Sequence, residues 1–226
     1  MTTILPSIFT ATGHNSNMPS RLIPLFPLQV VVFPRTPLPL HIFEDRYKEM
    51  VGDAIRDNTE FGIVLAKENG IVNAGCTVTV EKVLEMYSDG RMDILARGRR
   101  RFEVLSLNED KDYLQGEVNF FDDEDFDSPP DELRAQVLSK FEDLSGLESS
   151  RSQTQPDLTD PQLSFQVAQV IPDLDFLDAL LRQRSETGRL KQLTQYLSEY
   201  IPKQRVIQHV KSVAPTNGFG GKPAGL

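Results

Sequence analysis

The chain has 226 residues, with 24 Lys and Arg against 33 Asp and Glu, a formal net charge of −9. That balance excludes the broad basic face with which a general nucleic-acid binder displaces counterions, while a composition 39% hydrophobic and 25% charged is that of a folded chain with its own core. The single cysteine, Cys76, excludes an internal disulfide framework and any Cys-x-x-Cys zinc or redox site. No apolar run reaches the roughly 18 residues of a membrane-spanning helix. Residues 1–20 contain no Lys or Arg ahead of an apolar stretch, so they make a poor signal peptide. The chain reads as cytoplasmic, with no membrane association.

Residues 1–20 are rich in Thr, Ser and Asn and carry no charged side chain, which predicts a flexible N-terminal tail. The stretch from Arg21 to Phe43 then holds five of the 15 prolines (Pro24, Pro27, Pro34, Pro37 and Pro39), interleaved with Leu22, Ile23, Phe26, Val30 to Phe33, Leu38, Leu40 and Ile42. Proline removes a ladder donor and keeps to strand edges and bends. The pattern predicts short, kinked, buried strands that turn corners, as in a small barrel, in preference to an extended proline-rich ligand. Tyr47, Met50, Val51, Ala54 and Ile55 then fall on one helical face. Phe61 to Ala66 reads as a strand and Asn69-Gly70 as a turn.

From Cys76 the period changes to two. Cys76, Val78, Val80, Leu84 and Met86 are expected on a buried face, alternating with Thr77, Thr79, Glu81 and Glu85. Ser88-Asp89-Gly90 marks a hairpin, and Met92, Ile94 and Ala96 continue on the return strand. Gly98 is placed at a bulge or corner. Phe102 to Leu107 and Tyr113 to Phe121 are further strands.

Between Glu109 and Glu148 there are 14 acidic residues against three basic ones, densest at Asp122 to Asp127. This reads as an acidic, solvated linker, with a docking strip for a basic partner as the sharper alternative. Beyond it the apolar spacing is helical. Leu133, Val137, Phe141 and Leu144 form one stripe. Ser149 to Gln155 is a polar loop. Asp160-Pro161 looks like an N-cap and first turn, followed by Leu163, Val167, Val170 and Ile171. Pro172-Asp173 begins a helix lined by Leu174, Leu177 and Leu181. Leu190, Leu193, Leu197, Tyr200 and Ile201 mark a last helix, ended or kinked by Pro202. The expected organisation is a tail (1–20), a β-barrel (21–127), a helical bundle (128–212) and a Gly/Pro-rich C-terminal tail (213–226). Phe165, Leu174, Phe176, Leu177, Leu180 and Leu181 exceed one helix stripe, so barrel and bundle are expected to pack on each other.

Several segments together are similar to the N-terminal, substrate-binding domain of Lon proteases. They are Pro24 to Leu28, Val32-Phe33-Pro34, Leu38 to Tyr47 (LPLHIFEDRY), Phe61 to Leu65 (FGIVL), Gly75-Cys76 and Gly98 to Phe102 (GRRRF), in that order. Arg35 departs from the small Gly usual after Phe-Pro, which puts the backbone angle of that turn in question. The resemblance implies an α+β fold: a PUA-like pseudo-β-barrel with one helix, followed by a C-terminal helical bundle. It also implies a stand-alone, non-catalytic module that binds polypeptide substrates, or a protease or chaperone partner, in protein quality control.

The residues themselves point away from catalysis. Gly218 to Pro223 is the nearest approach to a phosphate-binding loop, but Pro stands where Ser or Thr is needed and the spacing is wrong. A Ser–Lys peptidase domain does not fit in this length. Cys76 and His41 make a formal nucleophile pair, yet Cys76 sits on the apolar face and reads as an inert thiol. His14, His41 and His209 form no cluster. The acidic run lacks the Gly and spaced Glu of an EF-hand loop. No catalytic, metal or cofactor site is expected. The protein-binding candidates are Pro39, His41, Phe43, Glu44, Arg46 and Tyr47, where strand becomes helix. In the opposing reading Ile42, Phe43 and Tyr47 are core. Binding would use an apolar groove or strand addition at a barrel edge. The alternative function is RNA binding by Arg97, Arg99, Arg100 and Arg101. Against it, such arginines pair on a solvent face with acids such as Glu103 or the acidic run, and exposed aromatics are not interleaved with them. No feature indicates an oligomeric state.

Overall fold

The computed structural model describes residues 21–125, 127–147 and 156–213. The expected tails (apart from Val213), the Ser149–Gln155 loop and Gly218–Pro223 lie outside these residues. The described elements run β1 (Arg21–Leu28), β2 (Pro37–Ile42), α1 (Asp45–Asp57), β3 (Phe61–Lys67), β4 (Gly70–Met86), β5 (Met92–Asn108), β6 (Gln115–Phe121), α2 (Asp131–Leu147), α3 (Leu163–Ala168), α4 (Leu174–Arg182) and α5 (Glu186–Val213). This is an α+β fold.

One mixed sheet bends into a ring. Its order is β2-β5-β4-β3-β1-β6, and β6 returns to pair with β5. Strand β5 is long enough to serve two neighbours on one edge: Met92 to Arg97 face β2, and Arg101 to Asn108 face β6. Strand β1 is shared in the same way. Arg21 to Pro24 run antiparallel to β6 and Leu25 to Leu28 parallel to β3. Pro24, which has no N–H to donate, sits where the partner changes.

Ile23, Leu25, Val64, Phe102 and Val118 fill the inside of the ring. Phe102 fits because Gly62 and Gly75 face it: a Cβ on either would press into its ring. The outer face carries a larger core. Phe26, Phe61, Ile63, Cys76 and Val78 pack there against Tyr47, Met50, Val51 and Ala54 of α1 and, further round, against the helices. The Phe26 and Tyr47 rings stack at 4.0 Å, and Phe33 of the barrel stacks on Phe165 of α3 at 5.0 Å. Barrel and helices therefore share one continuous core.

Four local expectations need correction. Leu84 and Met86 are 51% and 56% exposed, not buried. Bulges between Val80 and Lys82 and between Val83 and Glu85 shift the register of β4, so that Val83 packs against the core in their place. The segment at Asp122–Asp125 is no solvated linker. Asp123 binds Arg101 and Arg189, Glu124 binds Arg184, and Asp125 accepts from Ser185. Asp160-Pro161 does not cap α3. Gln162 holds that position, and the Asp160 carboxylate accepts from its amide, closing a turn ahead of the helix. Pro202 does not end α5, which continues to Val213.

Candidate functional site

The Pro39–Tyr47 segment straddles the end of β2 and the start of α1, and the alternation of β2 divides its residues. Leu38 and Ile42 are buried, whereas Pro39 and His41 are exposed. Tyr47 faces the core against Phe26. Phe43, which the opposing reading made core, is 59% exposed. Glu44 takes the N-cap position of α1 without capping it, because its carboxylate accepts two hydrogen bonds from Arg46, at 3.0 and 2.8 Å. The Arg46 guanidinium lies over the Tyr47 ring. Glu44, Arg46 and Tyr47 thus hold the helix start in place. Pro39, His41 and Phe43 are left facing out.

The structure adds residues to that outward group. The His41 ring lies 6.0 Å from Phe43 and 6.1 Å from Tyr87, the second edge-on. His41 Nδ1 is 2.5 Å from Asp93 Oδ1, and the Tyr87 hydroxyl donates to Asp93 Oδ2 at 2.8 Å. Those two hydrogen bonds hold the Asp93 carboxyl below its ordinary range, and the same bond raises the Tyr87 hydroxyl. Leu84 falls in the Val83–Glu85 bulge, and Met86 lies on the face of the sheet opposite this group. His41 pairs with Asp93 and Asp93 with Glu85, while Ile42 pairs with Met92 and Met92 with Met86. Phe43 and Tyr87 leave an exposed aromatic surface around a fixed His–Asp–Tyr group. Exposed aromatic side chains beside a fixed polar group suit a protein ligand. Strict alternation hides Leu84 and Met86 from a sequence reading. The signal is the break itself: Lys82 stands two residues after Val80, where an inward side chain is due.

The edge of β2 is built against strand addition. The Thr36 carbonyl accepts from the Gly98 amide, and Thr36 continues the register in which Leu38 faces Ala96 and Leu40 faces Ile94. Antiparallel ladders alternate residues that point their backbone groups toward and away from the partner. Leu38, Leu40 and Ile42 therefore turn toward β5, and Pro37, Pro39 and His41 turn to the free edge. Two of those three positions have no N–H, so the edge offers a poor template for another strand. A ligand here meets side chains on the face.

The four candidate arginines do not share one surface. Arg97 binds Glu81 and the Arg35 carbonyl. Arg100 binds Glu60 and lies over the Phe120 ring. Arg101, at 2% exposure, is core: it donates to the Leu181 and Gln183 carbonyls and to Asp123. Burial lowers its pKa, against the pull of Asp123. Arg99 is exposed, beside a cleft of about 420 Å³ shared with Arg35, Arg101 and Asp122. Glu103 pairs with Arg184 instead.

Cys76 and His41 lie apart. Cys76 is opposite Arg101 of β5, whereas His41 is opposite Asp93. Cys76 is fully buried, and burial pushes its thiol up to about 12. Among the described residues there is no group of three or more His, Cys, Asp or Glu side chains placed to hold a metal, and no helix long and apolar enough to cross a membrane.

The architecture has solved counterparts. A Lon N-terminal domain protein from Xanthomonas campestris superimposes with a TM-score of 0.64 at 25% identity, over 78% of this chain and 98% of that one. The N-terminal domain of the Mycobacterium avium complex Lon protease shares the fold at 16% identity, with a TM-score of 0.56 over 79% of this chain and 98% of that one. By sequence, the chain is 30% identical over 132 residues to the Lon protease of Parabacteroides distasonis, covering 54% of this chain but only 16% of that protein. The model of the ATP-dependent protease La (LON) substrate-binding domain matches residues 22–210, barrel and helices alike. The chain belongs to the Lon substrate-binding domain family.

Proposed function

We propose that this protein is a cytoplasmic, non-catalytic recognition module that holds unfolded or signal-bearing polypeptide and presents it to a separate protease or chaperone. The observation that carries this reading is the exposed aromatic surface of Phe43 and Tyr87 around His41 and Asp93. Family membership supplies the context. The chain spans 16% of the length of its Parabacteroides relative, so the activity of that whole enzyme is not transferred here. The proline-lined edge of β2 supports a side-chain mode of capture over strand addition. Nucleic acid is the weaker reading, because Arg97, Arg100 and Arg101 are already engaged by carboxylates and carbonyls.

The test is a titration of a labelled, permanently unfolded polypeptide against the wild type and a Phe43→Ser/Tyr87→Ser variant. Both side chains are exposed, so the unfolding free energy from a urea melt should stay within about 0.5 kcal/mol of wild type. Binding is expected to fall about tenfold or more, as for loss of central apolar anchors. Unchanged binding by a normally folded variant would sink the assignment. In parallel, single-stranded RNA is expected to bind weakly at physiological salt, with no change in an Arg99→Glu/Arg100→Glu variant.

A further inference from the structure

The last turns of α5 carry an apolar stripe that the fold does not use. Up to Ile201 the helix packs inward through Leu190, Leu193, Leu197 and Ile201, all buried. Beyond Pro202 no residue from Lys203 to Val210 is buried, although the helix continues. Val206 and Val210 are 63% and 59% exposed, and Ile207 is exposed beside them. Their direction is fixed by helix geometry. Val206 lies nine residues after Leu197, and Val210 nine after Ile201. Nine residues are about 2.5 turns, which places both valines on the side opposite the packed stripe. They are no continuation of the core, and among the described residues none buries them. A short helical segment without tertiary cover is marginal in water.

Charge defines what would cover it. From Pro202 to Leu226 the sequence has four Lys and Arg and no Asp or Glu, in a chain whose net charge is −9. Lys203 and Arg205 are exposed within the helix. Arg205 reaches Asp143 of α2 at 3.5 Å, in a pair more than half exposed on both sides. Side-by-side pairing of two copies through this stripe sets basic flank against basic flank, which disfavours self-association. An apolar helix with acidic flanks meets both the valines and the cations. We propose that the α5 stripe of Val206, Ile207 and Val210 is a docking site for an acidic amphipathic helix of a partner protein. This stripe lies on α5 and the other surface at β2–α1, so the two can be tested by separate substitutions.

The test uses the full chain and two labelled three-heptad peptides, each with Leu at a and d, one carrying Glu and the other Lys at e and g. Fluorescence anisotropy is expected to show the Glu peptide binding at least about tenfold tighter than the Lys peptide, with the difference shrinking as salt rises. Val206→Glu/Val210→Glu is expected to weaken it at least about tenfold with no change in thermal midpoint, since both positions are exposed. Lys203→Gln/Arg205→Gln, which leaves the apolar stripe intact, should reduce the preference for the Glu peptide. The Phe43→Ser/Tyr87→Ser variant should bind the Glu peptide normally, which separates this proposal from the polypeptide site. Equal affinity for both peptides, or no binding, overturns the inference. Concentration-dependent dimerisation abolished by Val206→Glu/Val210→Glu would assign the stripe to a second copy and overturn it as well. Binding to phosphatidylglycerol vesicles in place of the Glu peptide would assign it to lipid, with the same consequence.

Discussion

Arg35 shows how a single side chain can hold a backbone shape that glycine adopts more easily. Its φ is 63°, in the left-handed region, which costs a residue with a Cβ about 1–2 kcal/mol. The turn is held on several sides. The Arg35 amide donates to the Gly98 carbonyl, its own carbonyl accepts from Arg97, and its guanidinium binds Asp160 at 2.5 Å and Gln162 at 3.0 Å. Removing the side chain and relieving the strain are separable. Arg35→Ala loses the contacts and keeps the strain, whereas Arg35→Gly loses the contacts and is free of it. Chemical denaturation should find the Gly variant more stable than the Ala variant by about 1 kcal/mol. Equal stabilities would mean that the turn is not left-handed in solution.

Asp123 is the other residue on which much depends. It accepts from Arg101 and from both terminal nitrogens of Arg189, and from Gln162. Burial works against its ionisation, but the Arg189, Gln162 and Arg101 partners outweigh that and hold it at about 2. A carboxyl depressed in the folded state contributes stability above its unfolded value, near 4, and loses it as pH falls toward the folded value. Stability should therefore drop between about pH 4 and pH 2. In Asp123→Asn that part of the acid limb should be missing. Glu186, buried beside Arg189 and Ser164, runs the other way, its pKa raised chiefly by burial. Its contribution weakens as pH rises, so it cannot produce the acid limb. Asp123→Asn leaves two buried cations short of a counter-charge and should cost about 3–5 kcal/mol at neutral pH.

Among the elements, β2 and β5 depend on close backbone approach. A Cβ on Gly98 would collide with the Phe33 carbonyl, and the same glycine pairs with Thr36 and receives the Arg35 amide. The backbone cannot yield there without opening the Phe33–Thr36 turn. Gly98→Ala should cost about 3 kcal/mol or more in a urea melt. At the free edge of β2 the expectation concerns association. Pro37→Thr/Pro39→Thr restores two outward N–H groups and should give concentration-dependent oligomers by light scattering, where the wild-type edge stays inert. If the variant remains as wild type, the proline edge is not what blocks strand pairing.

At the scale of the whole molecule the barrel needs the helices. Arg101 stands on β5, yet two of its acceptors are carbonyls of Leu181 and Gln183 at the end of α4. Phe33 stacks on Phe165, and Arg189 of α5 closes over the same ring. A fragment ending at Phe121 would expose this apolar face and leave the Arg101 guanidinium without acceptors. The 1–121 fragment should melt at a lower urea midpoint than the full chain, or be insoluble. A fragment with the full midpoint and normal solubility would show the shared core to be unnecessary for the barrel.

Period and punctuation alone were enough for the element order. The proline-broken strands, the helix of Tyr47, Met50, Val51 and Ala54, the Asp89-Gly90 hairpin and the later helical stripes are local features, set by backbone sterics and by which side chains recur on one face. The Pro39–Tyr47 segment was legible in the same way, as a place where period two gives way to period 3.6. What tertiary structure decided was direction. Bulges in β4, invisible to a strict alternation, left Leu84 and Met86 in solvent, and strand pairing brought Tyr87 and Asp93 to Phe43 and His41, far earlier in the chain. The acidic stretch read as solvated because charge is usually hydrated. Asp123 is half-buried because the buried Arg101 and Arg189, from β5 and α5, converge on it. A linear sequence reports charge and period residue by residue, but a buried ion pair and an exposed patch are both made by side chains distant in the chain, and only folding brings them together.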